Sequence, residues 1–316
     1  MSNLVVCVQN EDQKVTSKQT IDAIYKAGFK NVFVQYYHRE TKGLDELEQI
    51  DYCRKLGLNI IFCHLGYKNS RDINSIWLEG ETGEKVIDGF IEDFKVLKER
   101  QIELVIMHLV SGKEPPIHNE IGLNRIKRLV KHAKEIGIKI ALENTRQHIY
   151  VEYILENIKD ENLGLCYDAG HCHCFSNDEF NYDFFENRIF AIHLHDNDKT
   201  GDLHLLPLDG TIEWMKVLTK LREKNYKGPI TLEVCYRYDY LNQSVEDFYR
   251  EAYERGLKLE EIDKLIDINW KICYNKIALK RKSNYISYIS ELGIVWTNYK
   301  NIVKEHLWAN YRKKKF

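Results

Sequence analysis

Ile189 to Gly210 reads IFAIHLHDNDKTGDLHLLPLDG. An apolar run with the composition of a buried strand opens into His193, His195 and His204, interleaved with Asp196, Asp198, Asp202 and Asp209. One such cluster on its own is no more than a polar turn. The reading of the whole chain depends on whether its other apolar runs end in the same way.

They do. Earlier runs are LVVCV (Leu4 to Val8), NVFVQ (Asn31 to Gln35), NIIFCH (Asn59 to His64), ELVIMH (Glu103 to His108), IKIALE (Ile138 to Glu143) and LGLCYD (Leu163 to Asp168). IFAIHLH (Ile189 to His195) and PITLEV (Pro229 to Val234) complete a set of eight. Between them lie amphipathic patterns such as TSKQTIDAIYKAG and GLNRIKRLVKHAKEIG, with polar starts and a Gly at the stop. Strands alternating with helices of this length pair in parallel through crossovers. Eight such units in about 250 residues predict an α/β fold, a (β/α)8 TIM barrel. An open doubly wound sheet calls for a glycine-rich turn after its first strand. QNEDQK follows LVVCV instead.

Chemistry in such a barrel gathers at the C-terminal strand ends. Those ends, from the third run to the eighth, are His64, His108, Glu143, Asp168, His193 with His195, and Glu233. Period-2 alternation sets Glu143 on the face of Ala141, Asp168 on that of Gly164 and Cys166, and His193 and His195 on that of Ala191. Glu233 shares its face with Thr231. Small residues and an ionisable group on each strand thus point inward, and the carboxylates and imidazoles converge at the barrel mouth. Three carboxylates packed together stay ionised only beside a cation. Mixed imidazole and carboxylate donors without thiolate suit Zn, Mn, Fe or Co. His171 in DAGH, and Asp202 with His204 in GDLH, add donors from the loops above.

Composition bounds the rest. The chain has 316 residues, 44% of them apolar, enough for one large domain with an appendage. It contains no apolar stretch of about 18 residues and no basic-then-apolar leader, so neither a membrane span nor a secretory signal is expected. Eight scattered cysteines, several inside apolar runs, predict a reducing cytoplasm. Cys172 and Cys174 in HCHC have no second pair at finger spacing. Charge divides the chain near Trp270: Lys271 to Phe316 has 11 Lys/Arg and 2 Asp/Glu, a balance of +9, against −11 before it. The expected organisation is a barrel over 1–270 and a basic, aromatic, helical extension over 271–316.

ALEN (Ala141 to Asn144), YDAGH (Tyr167 to His171), IHLHDN (Ile192 to Asn197), DLHLLPLDGTIEW (Asp202 to Trp214) and YKGPITLEV (Tyr226 to Val234) give the chain a resemblance. It resembles the superfamily of xylose isomerase-like barrels, which holds sugar phosphate isomerases and epimerases and the type IV apurinic/apyrimidinic endonucleases. The epimerase resemblance implies one divalent ion on Glu143, Asp168, His193 and Glu233, with the two glutamates as acid and base. The endonuclease resemblance implies three zinc ions, adding His64 with His108, and His171 with Asp202 and His204. His193 rather than His195 matches the family's ligand three residues before an Asp.

The sequence therefore predicts a metal-dependent sugar or sugar phosphate isomerase or epimerase. It works by proton transfer through a metal-stabilised enediolate, with one to three ions of Zn, Mn or Co. A trinuclear phosphodiesterase of the endonuclease kind is the alternative, and a non-catalytic sugar-binding barrel a third. The acidic barrel opposes nucleic-acid binding. In the tail, Ile286, Ile289, Leu292 and Trp296 recur at helical spacing, a stripe suited to docking on a barrel or a second subunit.

Overall fold

The computed structural model describes residues 3–9, 14–66, 71–176, 180–181, 185 and 187–280. Eight strands alternate with helices along it. They are β1 (Val5–Val8), α1 (Ser17–Ala27), β2 (Asn31–Tyr36), α2 (Glu46–Lys55), β3 (Asn59–Leu65), α3 (Glu81–Glu99), β4 (Leu104–Met107) and α4 (Glu120–Ile136). The second half runs β5 (Lys139–Glu143), α5 (Ile149–Asn157), β6 (Leu163–Asp168), α6 (Ala169–Phe175), β7 (Ile189–His193), α7 (Trp214–Glu223), β8 (Thr231–Leu232) and α8 (Val245–Lys280). The strands form one sheet in the order β7-β6-β5-β4-β3-β2-β1-β8, every pair parallel. A bridge from Leu194 to Leu232 joins its two edges, so the sheet rolls into the expected barrel.

Local chemistry explains the element ends. The Thr16 hydroxyl accepts the N–H of Gln19, and the Gln19 amide oxygen accepts that of Thr16 at 2.9 Å, which starts α1 with two donors satisfied. Asp45 and Glu48 repeat the device at α2. Asn119 caps α4, which starts two residues earlier than its apolar periodicity indicates, and Gly137 ends it at φ +72°. The eighth strand is shorter than PITLEV predicts. Pro229 has no N–H to give, and β8 pairs with β1 only at Val5 and Val6.

The inward faces match the alternation. Val5, Cys7, Phe33, Phe62, Ile106, Ala141, Cys166 and Ala191, from seven successive strands, pack as one buried cluster inside the barrel. Phe33 and Phe62 stack at 4.7 Å between ring centroids, and the His193 ring lies parallel to Phe33 at 5.1 Å. This apolar layer is the floor on which the polar strand ends rest. The barrel makes one compact unit, Met1–Lys264, and α8 continues to Lys280. The basic tail from 281 onward, with its expected helical stripe, lies outside the described residues. No helix among the described residues is long and apolar enough to cross a membrane.

Candidate metal centre

Every residue singled out at a strand end reaches the same place. Glu143 stands at its centre. Its Oε2 lies 2.8 Å from His64 Nε2 and 2.7 Å from His108 Nε2, and its Oε1 lies 3.0 Å from His193 Nδ1. The same His193 nitrogen is 3.4 Å from Glu233 Oε2 and 3.9 Å from Asp168 Oδ2. In the loop between β7 and α7, Asp202 Oδ2 is 3.3 Å from both His171 Nε2 and His204 Nε2. Glu143, Asp168, His193 and Glu233 are buried, while the Asp202 side chain keeps 31% of its surface in solvent. The loop side of the cluster therefore opens to water and the strand side does not.

Hydrogen bonds on the outer nitrogens set the rings. Nδ1 of His64 faces the Leu65 carbonyl at 3.1 Å, that of His171 the Asn144 carbonyl at 3.0 Å, and that of His204 the Glu233 carbonyl at 2.7 Å. A carbonyl only accepts, so the neutral ring carries its proton on Nδ1 and turns the Nε2 lone pair inward. This is how metal-ligating histidines are held.

The donor set also fits an ion on another count. Buried polar groups are nearly always satisfied. Among the described residues, six buried side-chain atoms lack a hydrogen bond, and five belong here: Asp168 Oδ2, His193 Nε2, both ring nitrogens of His195, and Asp202 Oδ1. Three groups have donor atoms within 4.8 Å of one another: His64, Glu143, His193 and Glu233; Asp168, His171 and His195; and His195, His204 and Glu233. His108 and Asp202 border these groups through Glu143 and through His171 and His204.

Electrostatics splits the two glutamates. Burial raises both. At Glu143 the imidazoles of His193 and His108 outweigh it and hold the carboxyl well below the ordinary range. At Glu233 the charges of Glu143 and Asp168 add to burial and carry it well above. Burial lowers His108 to about 4 despite Glu143 beside it. His171 moves the other way: burial opposes its charge, but Asp168 and Asp202 raise it well above the usual value. The one environment thus pushes two neighbouring carboxyls apart.

Two residues of the site, Asn144 and Asp196, escaped the sequence reading, and a third was named there without being chosen as the ligand. His195, set aside in favour of His193, is fully buried in the cluster, and the shared face of the two histidines was the available signal. Asn144 ties β5 to β6: its Oδ1 accepts the Asp168 N–H at 2.7 Å and its Nδ2 donates to the Asp168 carbonyl at 2.9 Å. Asp196, buried directly after His195, accepts the N–H groups of Asn197, Leu208 and Ile212 and the indole N–H of Trp214. No period or spacing marks such a residue.

The chain belongs to the xylose isomerase-like TIM barrel family, whose profile matches residues 21–259. Inosose isomerase of Halalkalibacterium halodurans is 28% identical over 242 residues, spanning 68% of this chain and 79% of that protein. The uncharacterised protein y4fM of Sinorhizobium fredii is 28% identical over 145 residues, and that match spans 46% of this chain and 45% of its own length, so the chain covers less than half of it. Among solved structures, a D-tagatose 3-epimerase-like protein superposes with a TM-score of 0.64 at 20% identity, over 84% of this chain and 99% of its own. That likeness establishes the fold.

Proposed function

We propose that this chain is a metal-dependent isomerase or epimerase of a small sugar, sugar phosphate or polyol-derived ketose. The observation that carries the reading is the pair Glu143 and Glu233, both within 3.4 Å of His193 Nδ1 in a buried cluster of imidazoles and carboxylates that pushes their two carboxyls in opposite directions. Glu143, Asp168, His193 and Glu233 hold the principal divalent ion. His64, His108, His171, Asp202 and His204 complete the metal-binding set. An ion bound there supplies Lewis-acid compensation for the charge that develops when a carbon next to a carbonyl loses its proton. One of the two glutamates takes that proton and the other returns one to the substrate, a contribution of about 10²–10⁴-fold in rate. The Phe33 and Phe62 floor keeps water from below the reacting groups. The names of the similar proteins, an inosose isomerase and a D-tagatose 3-epimerase-like protein, point to the same substrate class. Free thiols in the barrel interior suit a cytoplasmic enzyme.

Asp202, flanked at 3.3 Å by both His171 and His204, favours a second reading, a trinuclear phosphodiesterase. One experiment separates them. The metal-loaded protein is incubated in D2O with a panel of ketoses and, separately, with abasic DNA. The isomerase incorporates deuterium beside the carbonyl, and a Glu233→Gln variant that retains its metal loses that exchange by about 10²-fold or more. Full exchange in the variant, or cleavage of the DNA with no exchange into any sugar, removes the isomerase reading.

A further inference from the structure

We propose that Gln9, Gln35 and Arg39 form a recognition wall for the end of the substrate remote from its reacting carbon, and that this end is an anionic phosphate or carboxylate. The inference rests on the isomerase reading above and narrows its substrate class to ketoses with a charged end.

The wall occupies the sector of the mouth that the metal-competent residues leave open. Of the eight apolar runs, those of β1 and β2 alone end without an imidazole or a carboxylate. Cys7 and Phe33 belong to the inward cluster and pair with each other across these two strands. Alternation turns Gln9 and Gln35, two residues further on, to the same inward side. Gln35 is buried and pairs with His64 across β2 and β3, so its amide stands level with the imidazoles.

The hydrogen bonds run in one direction. A guanidinium only donates, and Arg39 Nη2 lies 2.6 Å from Gln35 Oε1. That contact turns Gln35 Nε2 toward Gln9, whose Oε1 accepts it at 2.9 Å and faces the Cys7 thiol at 3.5 Å. Burial and then the Glu233 charge push that thiol up against the pull of Arg39, so it too stays a donor. Gln9 Nε2 is thereby left as a donor with no partner among the described residues. The rest of the Arg39 guanidinium meets no carboxylate among them either. An oriented amide donor beside an oriented guanidinium suits an anionic oxygen group, which gains charge-assisted bonds that a hydroxyl does not.

Tyr37 ties the wall to the reacting centre. Its hydroxyl is 3.3 Å from His64 Nδ1, and Arg39 Cζ lies over its ring at 5.1 Å from the centroid. The guanidinium is therefore one aromatic ring away from the metal-site imidazoles. A ketose with its carbonyl at the metal can extend its far end across that ring.

The test measures binding by calorimetry on the Mn2+-loaded full-length protein. D-fructose, D-tagatose and D-psicose are each offered with a terminal hydroxyl, phosphate or carboxylate, so that stereochemistry and charge vary independently. Wild type is expected to bind one charged form about tenfold or more tighter than its neutral parent, the worth of hydrogen bonds to a charged group. The preferred form tells phosphate from carboxylate. Arg39→Gln, with circular dichroism confirming its fold, should bring that preference to within about threefold of parity. If it does not fold, Gln9→Leu decides: a preference weakened by about threefold or more supports the wall, and an unchanged one overturns it. Wild type that binds no charged form better than its parent also overturns the inference. So does a preference that survives intact in folded Arg39→Gln, which would put the anion on the metal alone. Deuterium exchange on the same samples keeps the two readings apart. An Arg39-dependent preference without exchange into any ketose leaves this inference standing and removes the isomerase reading, and exchange into a neutral ketose without any preference does the reverse.

Discussion

Replacing Asp196 with Asn changes one atom in a fully buried carboxylate and sets a measurable strain on the loop that carries Asp202 and His204. Asp196 Oδ1 accepts Asn197 N–H at 2.9 Å and Ile212 N–H at 3.1 Å, and Oδ2 accepts Leu208 N–H at 2.9 Å and Trp214 Nε1–H at 3.0 Å. The loop it anchors holds three non-glycine residues in left-handed backbone, Lys199, His204 and Leu208. Such conformations persist only where surrounding contacts over-determine them. An Asn side chain keeps two of the four donors on its oxygen and turns an NH2 toward the other two. Each stranded buried donor costs about 1–3 kcal/mol, so the local loss is roughly 2–6 kcal/mol. At 1.4 kcal/mol per tenfold, that speeds loop opening by about 30-fold or more. Hydrogen exchange at the Leu208 and Ile212 amides reads this directly, with the strand amides of β4 and β5 as an unchanged internal standard. Exchange at both amides within threefold of wild type would show that the carboxylate does not hold the loop.

Gly170→Ala forces a methyl into the His195 ring, and overpacking of this kind costs about 1–3 kcal/mol. A lower melting temperature is expected, together with weaker metal binding, and a variant that matches wild type in both would contradict the close approach. In the metal-free protein burial and the neighbouring carboxylates raise Glu233, and Asp168 and Asp202 raise His171 against its burial, so both groups hold protons more tightly and those protons compete with a metal. Metal affinity should therefore rise with pH, with proton release visible as a buffer-dependent heat in calorimetry; a heat independent of buffer from pH 6 to 8 would rule it out. Deleting Lys280 to Phe316 should lower solubility or change the oligomeric state and leave turnover per folded site intact, because every proposed ligand precedes Trp270. A truncated protein with unchanged assembly and lost affinity for nucleic acid would refute docking of the tail.

The barrel was legible because its signals are periodic. Inward Ala141, Cys166 and Ala191 are spaced by a backbone rule that holds whatever surrounds them, and Thr16 to Gly28 writes a helix with its own start and stop. The site was legible for a related reason: a parallel barrel brings residues distant in the chain to one rim, so strand-end position alone placed Glu143 beside His193. What the sequence hid lies off the strands. Asp196 acts through backbone N–H groups up to 16 residues away, and those donors exist at nearly every position, so no pattern announces the partner. Alternation puts His193 and His195 on one face and does not say which of them faces the centre of the cluster. The short β8 reflects which neighbour it meets, a tertiary fact that the apolar run PITLEV does not contain.

The barrel closes between its seventh and eighth strands through very little. Leu194 donates its N–H to the Thr231 carbonyl at 2.9 Å, and its own carbonyl accepts the Glu233 N–H at 3.1 Å. His193 and His195 flank that residue on one side of the joint, and Glu233 belongs to the other. A metal ligated from both sides, as proposed above, would be a rivet across this seam of the cylinder. Pulled or heated without metal, the molecule should part first along this line, between Leu194 and Leu232, while the remaining staves still hold.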